Sequence, residues 1–434
     1  MSQKYHLVCK KCGKNIGDFD DWFRQDQKCT CGSNYAEVVY DNLDYHKLDQ
    51  LTKGDAKSLY QYFDFLPLEH RENIVSFGEG AVPIERWQHL ERIAKRKYGV
   101  DCQVFVYRND LNGATGTFKD ISASLAASVM KEHGIKEFTL ASTGNAAISF
   151  STYLAKAGIK FTIFTPAFAD PDTLKAIRKT GQNLVVSNGN YGAAKKEAAD
   201  YHEKYHVLIS AGNIDPLRIE AKRTMVFEYM RQLGGMPDVF MQAVAGGTGP
   251  IALEKGFREI APYYPDLKMP RMILVQQDLC DPMVRAWEKA QATGFPENFQ
   301  NDFTALTDIK TRISILTAAN PGMYPLVAPM VKASGGTFVR VKEAELPRYG
   351  RNIRLHRHID MGPASVVCYA GFFEALRQGQ IHNGDRVVLN TGEGATRARW
   401  FTALSLHARQ DQTVSRQERR KARREARRES RNNK

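Results

Sequence analysis

From Glu137 to Ser210 the chain alternates short apolar runs with amphipathic segments, and few folds accept that rhythm. Glu137–Ala141 reads as a strand, followed by a helix from about Ala146 to Ala157. Strand Lys160–Thr165, helix Asp172–Thr180, strand Asn183–Ser187, helix Gly192–Lys204 and strand His206–Ser210 complete the series. The strand segments are rich in Val, Ile and Phe, and Gly158 and Gly181 sit where two helices should close. Strands that alternate with helices of this length predict a parallel sheet covered by helices. A second series, Asp238–Ala245, Met272–Gln276, Thr337–Val341 and Arg386–Asn390, predicts a second layered α/β unit. Such units take ligands in the crevice where strand ends meet helix starts.

The first forty residues follow another logic. Cys9-x-x-Cys12 is separated by sixteen residues from Cys29-x-Cys31-Gly32. Two close pairs of thiolates can surround one Zn²⁺ tetrahedrally, and the ion replaces the core that so short a segment lacks. The four ligands Cys9, Cys12, Cys29 and Cys31 leave no open position, so the zinc is expected to be structural; the alternative is four reduced cysteines in a loop. Cys102, Cys280 and Cys368 stand singly, which speaks against a disulfide framework.

With 43% hydrophobic and 25% charged residues among 434, the chain can bury sizeable cores. No window approaches the roughly twenty continuous apolar residues of a membrane span. The start, MSQKYHLVCKKCG, lacks the apolar centre of a signal peptide. The expectation is a soluble cytoplasmic protein without a membrane partner. The net charge of +13 suggests nucleic acid, but Ser415–Lys434 holds ten Lys/Arg against three Glu, or +7, leaving +6 for the rest. That basic tail has no apolar anchor and is expected to be disordered, with RNA or an acidic partner as a lesser use.

Four segments at expected strand ends carry chemistry. Asn112-Gly-Ala-Thr-Gly-Thr-Phe-Lys119-Asp120 opens a helix over Ile121–His133 whose first turns are small residues. An amine there can form an imine with an aldehyde cofactor and shuttle protons, although Lys119 alone would read as a surface lysine. Ala141-Ser142-Thr143-Gly144-Asn145 can hold a carboxylate at a helix start, or be a good cap. Ala245-Gly246-Gly247-Thr248-Gly249-Pro250 lets backbone wrap an anion, or is a tight turn. Asn390-Thr391-Gly392-Glu393-Gly394 offers a hydroxyl.

The order of these four segments resembles that of the fold-type II pyridoxal-phosphate enzymes, the tryptophan synthase β superfamily, from about Ser58 to Trp400. Within it the chain is most similar to the threonine synthases. Leu59–Pro67, Val75-Ser-Phe-Gly-Glu-Gly80, Thr115-Gly-Thr-Phe-Lys-Asp120, Ala141–Asn145 and Pro216–Thr224 all resemble that family's stretches, and a Cys-paired ribbon also precedes some of its members. The resemblance implies Lys119 as Schiff-base lysine and general base, and Asn145 against the 3′-oxygen of pyridoxal 5′-phosphate. It implies Gly246, Gly247, Thr248 and Gly249 around the cofactor phosphate and Thr391 toward the pyridine nitrogen. A neutral hydroxyl there favours elimination and replacement chemistry. Ser142, Thr143, Asn145 and Arg218 would bind substrate.

Departures accompany the likeness. Ile121-Ser122 stand where the family has Arg-Gly, Val82-Pro83-Ile84 where it has Thr-Pro-Leu, and Glu393 and Thr396 where it has His and Lys. Met236–Gly249 is closer to cysteate synthase. The implied architecture is a zinc ribbon over 1–42, a large cofactor-binding α/β domain over 43–118 and 211–408, a smaller α/β domain over 119–210, and the tail over 409–434. The implied reaction is that of a threonine-synthase-like lyase on O-phosphohomoserine, in a homodimer. The alternatives are β-replacement on O-phosphoserine by a sulfur nucleophile and a non-catalytic relative using its basic tail on RNA.

Overall fold

Two parallel sheets and a small antiparallel one organise the computed structural model, which describes residues 4–51, 56–307 and 309–408. The expectation for the basic tail over 409–434 lies outside the described residues. The larger sheet has six strands in the order Thr337–Val341, Arg271–Gln277, Val239–Ala243, Arg386–Asn390, Gln103–Tyr107 and Ile84–Arg86. Its first five are parallel and the short edge strand is antiparallel. Side chains alternate between two cores, as the pleat requires. Val239 and Met241 pack with Val104, Val106, Leu389 and the helix Pro363–Arg377, whereas Phe240, Met272, Leu274 and Val388 join the core on the other side.

The second sheet has four parallel strands in the order Asn183–Ser187, Lys160–Pro166, Glu137–Ala141 and Leu208–Ile209. Helices Asn145–Ala157, Pro171–Arg178 and Tyr191–Tyr205 connect them. Gly158 ends the first of these in the left-handed region at φ +71°, where a side chain would be strained. The last strand is shorter than the apolar pattern implies. His206 takes φ +54° to close the preceding helix, so extended backbone begins only beyond it. The strands Gln103–Tyr107 and Ile84–Arg86 were not anticipated; the latter has only three residues, too few to show a period.

Between the sheets lie helices Asp120–Glu132 and Pro216–Leu233, the former packed on Asn145–Ala157 and the latter on Thr248–Ile260. The N-terminal sheet orders its strands Asn15–Gly17, Tyr5–Cys9 and Ala36–Tyr40. Its buried Tyr5, Leu7, Phe19 and Trp22 belong to the same core as Phe65 and Phe227, so the ribbon is welded to the body by apolar contact. No helix among the described residues is long and apolar enough to cross a membrane.

Candidate active site

The lysine loop leaves the strand Gln103–Tyr107 and enters the helix Asp120–Glu132. Asp120 folds back to accept the Thr115 amide at 2.9 Å and the Thr115 hydroxyl at 2.5 Å, and that hydroxyl also meets Ser149 at 3.0 Å. Burial pushes the Asp120 carboxyl up to about 6, against the pull of these donors. The loop is also zipped to the late glycine segment. Phe118 donates its amide to the Gly392 carbonyl at 2.9 Å, and Gly394 donates to Gly116 at 3.0 Å. Lys119 is therefore held from both sides by backbone. Its side chain is partly exposed, and its amine has no hydrogen-bond or ion-pair partner among the described residues. Burial first, and then the Arg218 charge, lower its pKa to about 8, while Glu393 pulls upward.

Asn145 begins its helix with Ser142 and Thr143 just before it, all three buried. The Ser142 hydroxyl accepts the amides of Gly144 and Ala147, each at 3.2 Å, so it caps the helix. Asn145 donates its amide to Glu393 at 3.0 Å, whereas its Oδ1 is buried without a partner. Glu393 is fully buried and also accepts the Ala364 amide at 2.8 Å. Burial raises its carboxyl to about 7, opposed by Ala364, Asn145 and Lys119. Ser365 completes this corner, accepting the amides of Gly392 and Glu393 at 3.0 and 2.9 Å. Glu393 was expected only as a departure from the family that could alter specificity, and Ser365 was not expected at all. The place of Glu393 between two glycines of a chemical motif was the available signal, and Ser365 left none.

The glycine loop joins the strand Val239–Ala243 to the helix Thr248–Ile260. Gly247 caps that helix at φ +96°, no side chain among the described residues bonds the helix's opening amides, and a Cβ there would lie 2.7 Å from Val327. A Cβ on Gly246 or Gly249 would collide with Asn213 or Gln242. Thr248 donates to Asn213 at 3.0 Å. Open amides at a helix start suit an anion.

Thr391 lies at the end of the strand Arg386–Asn390. Its hydroxyl donates to the Tyr107 carbonyl at 2.6 Å and accepts the Asn109 amide at 3.0 Å. To donate to a ring nitrogen it would have to release Tyr107. Arg218, partly exposed near the start of the helix Pro216–Leu233, lies 4.9 Å over the Phe150 ring with its Nε unpartnered. The loops thus converge: Lys119, Asn145, Glu393 and Arg218 share one region, and Asn213 ties the glycine loop to the entry of the Arg218 helix.

In the N-terminal ribbon, the sulfurs of Cys9, Cys12, Cys29 and Cys31 all lie within 4.8 Å of one another. Cys9 and Cys31 are 3.6 Å apart and Cys12 and Cys29 3.7 Å. Four sulfurs about 2.3 Å from one Zn²⁺ in a tetrahedron stand about 3.8 Å apart. The donor set and spacing fit the ion.

Residues 75–392 match the model of a family described as pyridoxal-phosphate dependent enzyme. The chain is 27% identical over 392 residues to a threonine synthase of Methanocaldococcus jannaschii, covering 89% of this chain and 91% of that one. It is 25% identical over 406 residues to a cysteate synthase of Methanoculleus marisnigri, covering 92% and 90%. Among solved structures, the diaminopropionate ammonia lyase of Escherichia coli superposes with a TM-score of 0.62 at 15% identity, over 83% of this chain and 92% of that one. The processed threonine deaminase isoform 2 of Solanum lycopersicum gives 0.59 at 18%, over 80% and 93%. The fold is the two-sheet α/β type expected from the sequence. An uncommitted lysine amine, an Asn145 amide that gives one of its two N–H groups to Glu393, and a glycine cradle at a helix start fit pyridoxal phosphate.

Proposed function

This chain belongs to the pyridoxal-phosphate dependent enzymes as a lyase of threonine-synthase type, and from that premise we propose that it converts O-phosphohomoserine to threonine and phosphate. One observation carries the substrate reading: an amine without a partner, Lys119, and a guanidinium with an unpartnered Nε, Arg218, face one region. The first is what proton transfer needs and the second is what a leaving phosphate needs.

In this reading residues 246–249 hold the cofactor phosphate, Asn145 its ring oxygen and Thr391 its ring nitrogen. When bound, the cofactor supplies an electron sink that makes protons on the substrate carbons removable. Lys119, with a pKa near 8, takes and returns those protons at Cα, Cβ and Cγ. Arg218 orients the phosphate and balances its charge as the Cγ–O bond breaks, after which water adds at Cβ. Ser142 caps the helix so that the loop 142–145 keeps its amides toward the substrate carboxylate, and Glu393 holds the Asn145 amide in place. Cys9, Cys12, Cys29 and Cys31 carry a structural zinc. The division into ribbon, large and inserted α/β domains, the homodimer and the cytoplasmic setting belong to the same reading.

β-Replacement on O-phosphoserine is the second reading, favoured by the likeness to cysteate synthase over 92% of the chain. The substrates differ by one methylene, worth about 1–3 kcal/mol of discrimination. Offering both phospho-amino acids, with and without sulfite, separates them. Phosphate and threonine from phosphohomoserine are expected. Release from phosphoserine alone, with sulfite consumed, replaces the first reading by the second.

A further inference from the structure

Four basic residues lie along the helix Pro216–Leu233, and they divide into two kinds. Arg223 is ion-paired to Glu220 and Glu259, and Arg231 to Glu228. Arg218 and Lys222 have no carboxylate or hydrogen-bond partner for their charged groups among the described residues. Lys222 is 2% exposed, so bulk water reaches little of it. An ammonium buried in that way is costly unless something of opposite charge comes to it.

The geometry shows where the opposite charge would come from. Residues 218 and 222 are four apart and share one face of the helix. The Lys222 amine lies 5.5 Å from the centre of the Phe118 ring, and the Lys119 amine lies 5.9 Å from the same ring. Lys119 and Lys222 thus lie near one ring, and the charges of Lys119 and Arg218 both act on the Lys222 amine. Glu393 faces Lys119 but is engaged by Asn145 and Ala364, and Asp215 is engaged by Leu217 and Ser210.

We infer that Lys222 is a second phosphate-binding cation, set beside Arg218 to take the other charge of the substrate's phosphate-ester dianion. This rests on the phospho-amino-acid reading of the site and deepens it: the substrate must carry two negative charges on its leaving group, where a neutral hydroxyl, an acetyl ester or a single carboxylate would leave one cation buried and unpaired. Burial, then Lys119 and Arg218, hold the Lys222 amine well below its ordinary pKa.

The test titrates the cofactor-loaded protein with inorganic phosphate and follows the cofactor absorption band. Wild type is compared with Lys222→Met and Lys222→Gln, two neutral replacements whose folding is checked by thermal melting. Loss of one charge-assisted contact should raise the phosphate dissociation constant about tenfold to a hundredfold in both variants. Affinity for homoserine, which lacks the phosphate, should change less than about threefold. Unchanged phosphate affinity in either folded variant overturns the inference, as does a loss of cofactor affinity with phosphate binding intact. If wild type releases phosphate from a phospho-amino acid while the Lys222 variants still bind phosphate normally, only the role of Lys222 falls. If wild type neither binds phosphate nor acts on either phospho-amino acid, the substrate reading falls with it.

Discussion

The helix Pro216–Leu233 treats buried charge in opposite ways on its two faces. On one face Arg223, wholly buried, meets Glu220 at 2.9 Å and the Tyr45 hydroxyl at 2.9 Å, and is joined to Glu259. Lys255 reaches Glu220 at 2.9 Å, and Tyr40 donates to it at 2.7 Å. Tyr40 ends a ribbon strand and Lys255 belongs to the helix Thr248–Ile260, so this network ties three elements together, although the Arg223 Nε has no hydrogen-bond partner among the described residues. On the other face Arg218 and Lys222 are left open. Charge that finds all its partners within the chain serves the fold, and charge that does not awaits a ligand.

The largest contrast is expected at Lys119. Lys119→Ala should cost about 10⁴-fold or more in turnover, because the proton-transfer group and the cofactor's attachment vanish together. Its melting temperature without cofactor should stay near that of wild type. The visible cofactor band, sensitive to borohydride in wild type, should be absent. A variant that keeps the band would remove Lys119 from its role.

The closed side should fail in the other sense. Cys12→Ser should abolish stoichiometric zinc, measured by metal analysis, and expose the ribbon strands to amide exchange. Structural zinc sites are worth about 10 kcal/mol in isolated fingers, although here the buried aromatic core of the ribbon offsets part of the loss. Zinc well below one per chain in wild type would contradict the assignment.

Arg223→Met sharpens the comparison further, since its neighbour Lys222 can be changed in the same way. Removing Arg223 leaves Glu220 and Glu259 to share Lys255 and should cost about 3 kcal/mol in denaturant unfolding, the low end for a broken buried pair. Lys222→Met removes a charge that had no partner and should cost nothing or stabilise. Equal losses in the two variants would mean that the faces do not differ as described.

The smallest effect is a slope. Glu393 rises from an ordinary 4.5 to about 7 in the folded chain. Between those values the folded state keeps a proton that the unfolded state has lost, so stability is greatest below pH 4.5 and declines as pH rises toward 7. The full change is about 3 kcal/mol at most. Glu393→Gln should flatten unfolding free energy against pH over that window in the cofactor-free protein. An unaltered slope would show that Glu393 titrates normally.

Much of this molecule could be read from short stretches of chain. The strands Glu137–Ala141, Asn183–Ser187, Thr337–Val341 and Arg386–Asn390 have the bounds their apolar runs imply. Two Cys pairs, a lysine before a run of small residues and a glycine-rich turn are likewise local patterns. They depend on the 2.0 and 3.6 residue periods and on turn chemistry, which involve only neighbours a few positions away. The order of these motifs added the likeness to a family.

What a neighbouring residue cannot tell is which charge another element will bring. Lys222 and Arg223 are adjacent and alike in the sequence, yet one is open and the other is closed. The hydrogen bond that joins Asn145 to Glu393 spans 248 positions. The Thr391 hydroxyl is directed to Tyr107, 284 positions away. The sequence by itself determined most of the elements and the thiolate cluster, because these follow from local period and spacing, and the order of its motifs marked the candidate lysine. Only the tertiary structure decided which buried charges are paired and which are left for a ligand, because pairing depends on the packing of distant strands and helices around a shared, water-poor interior.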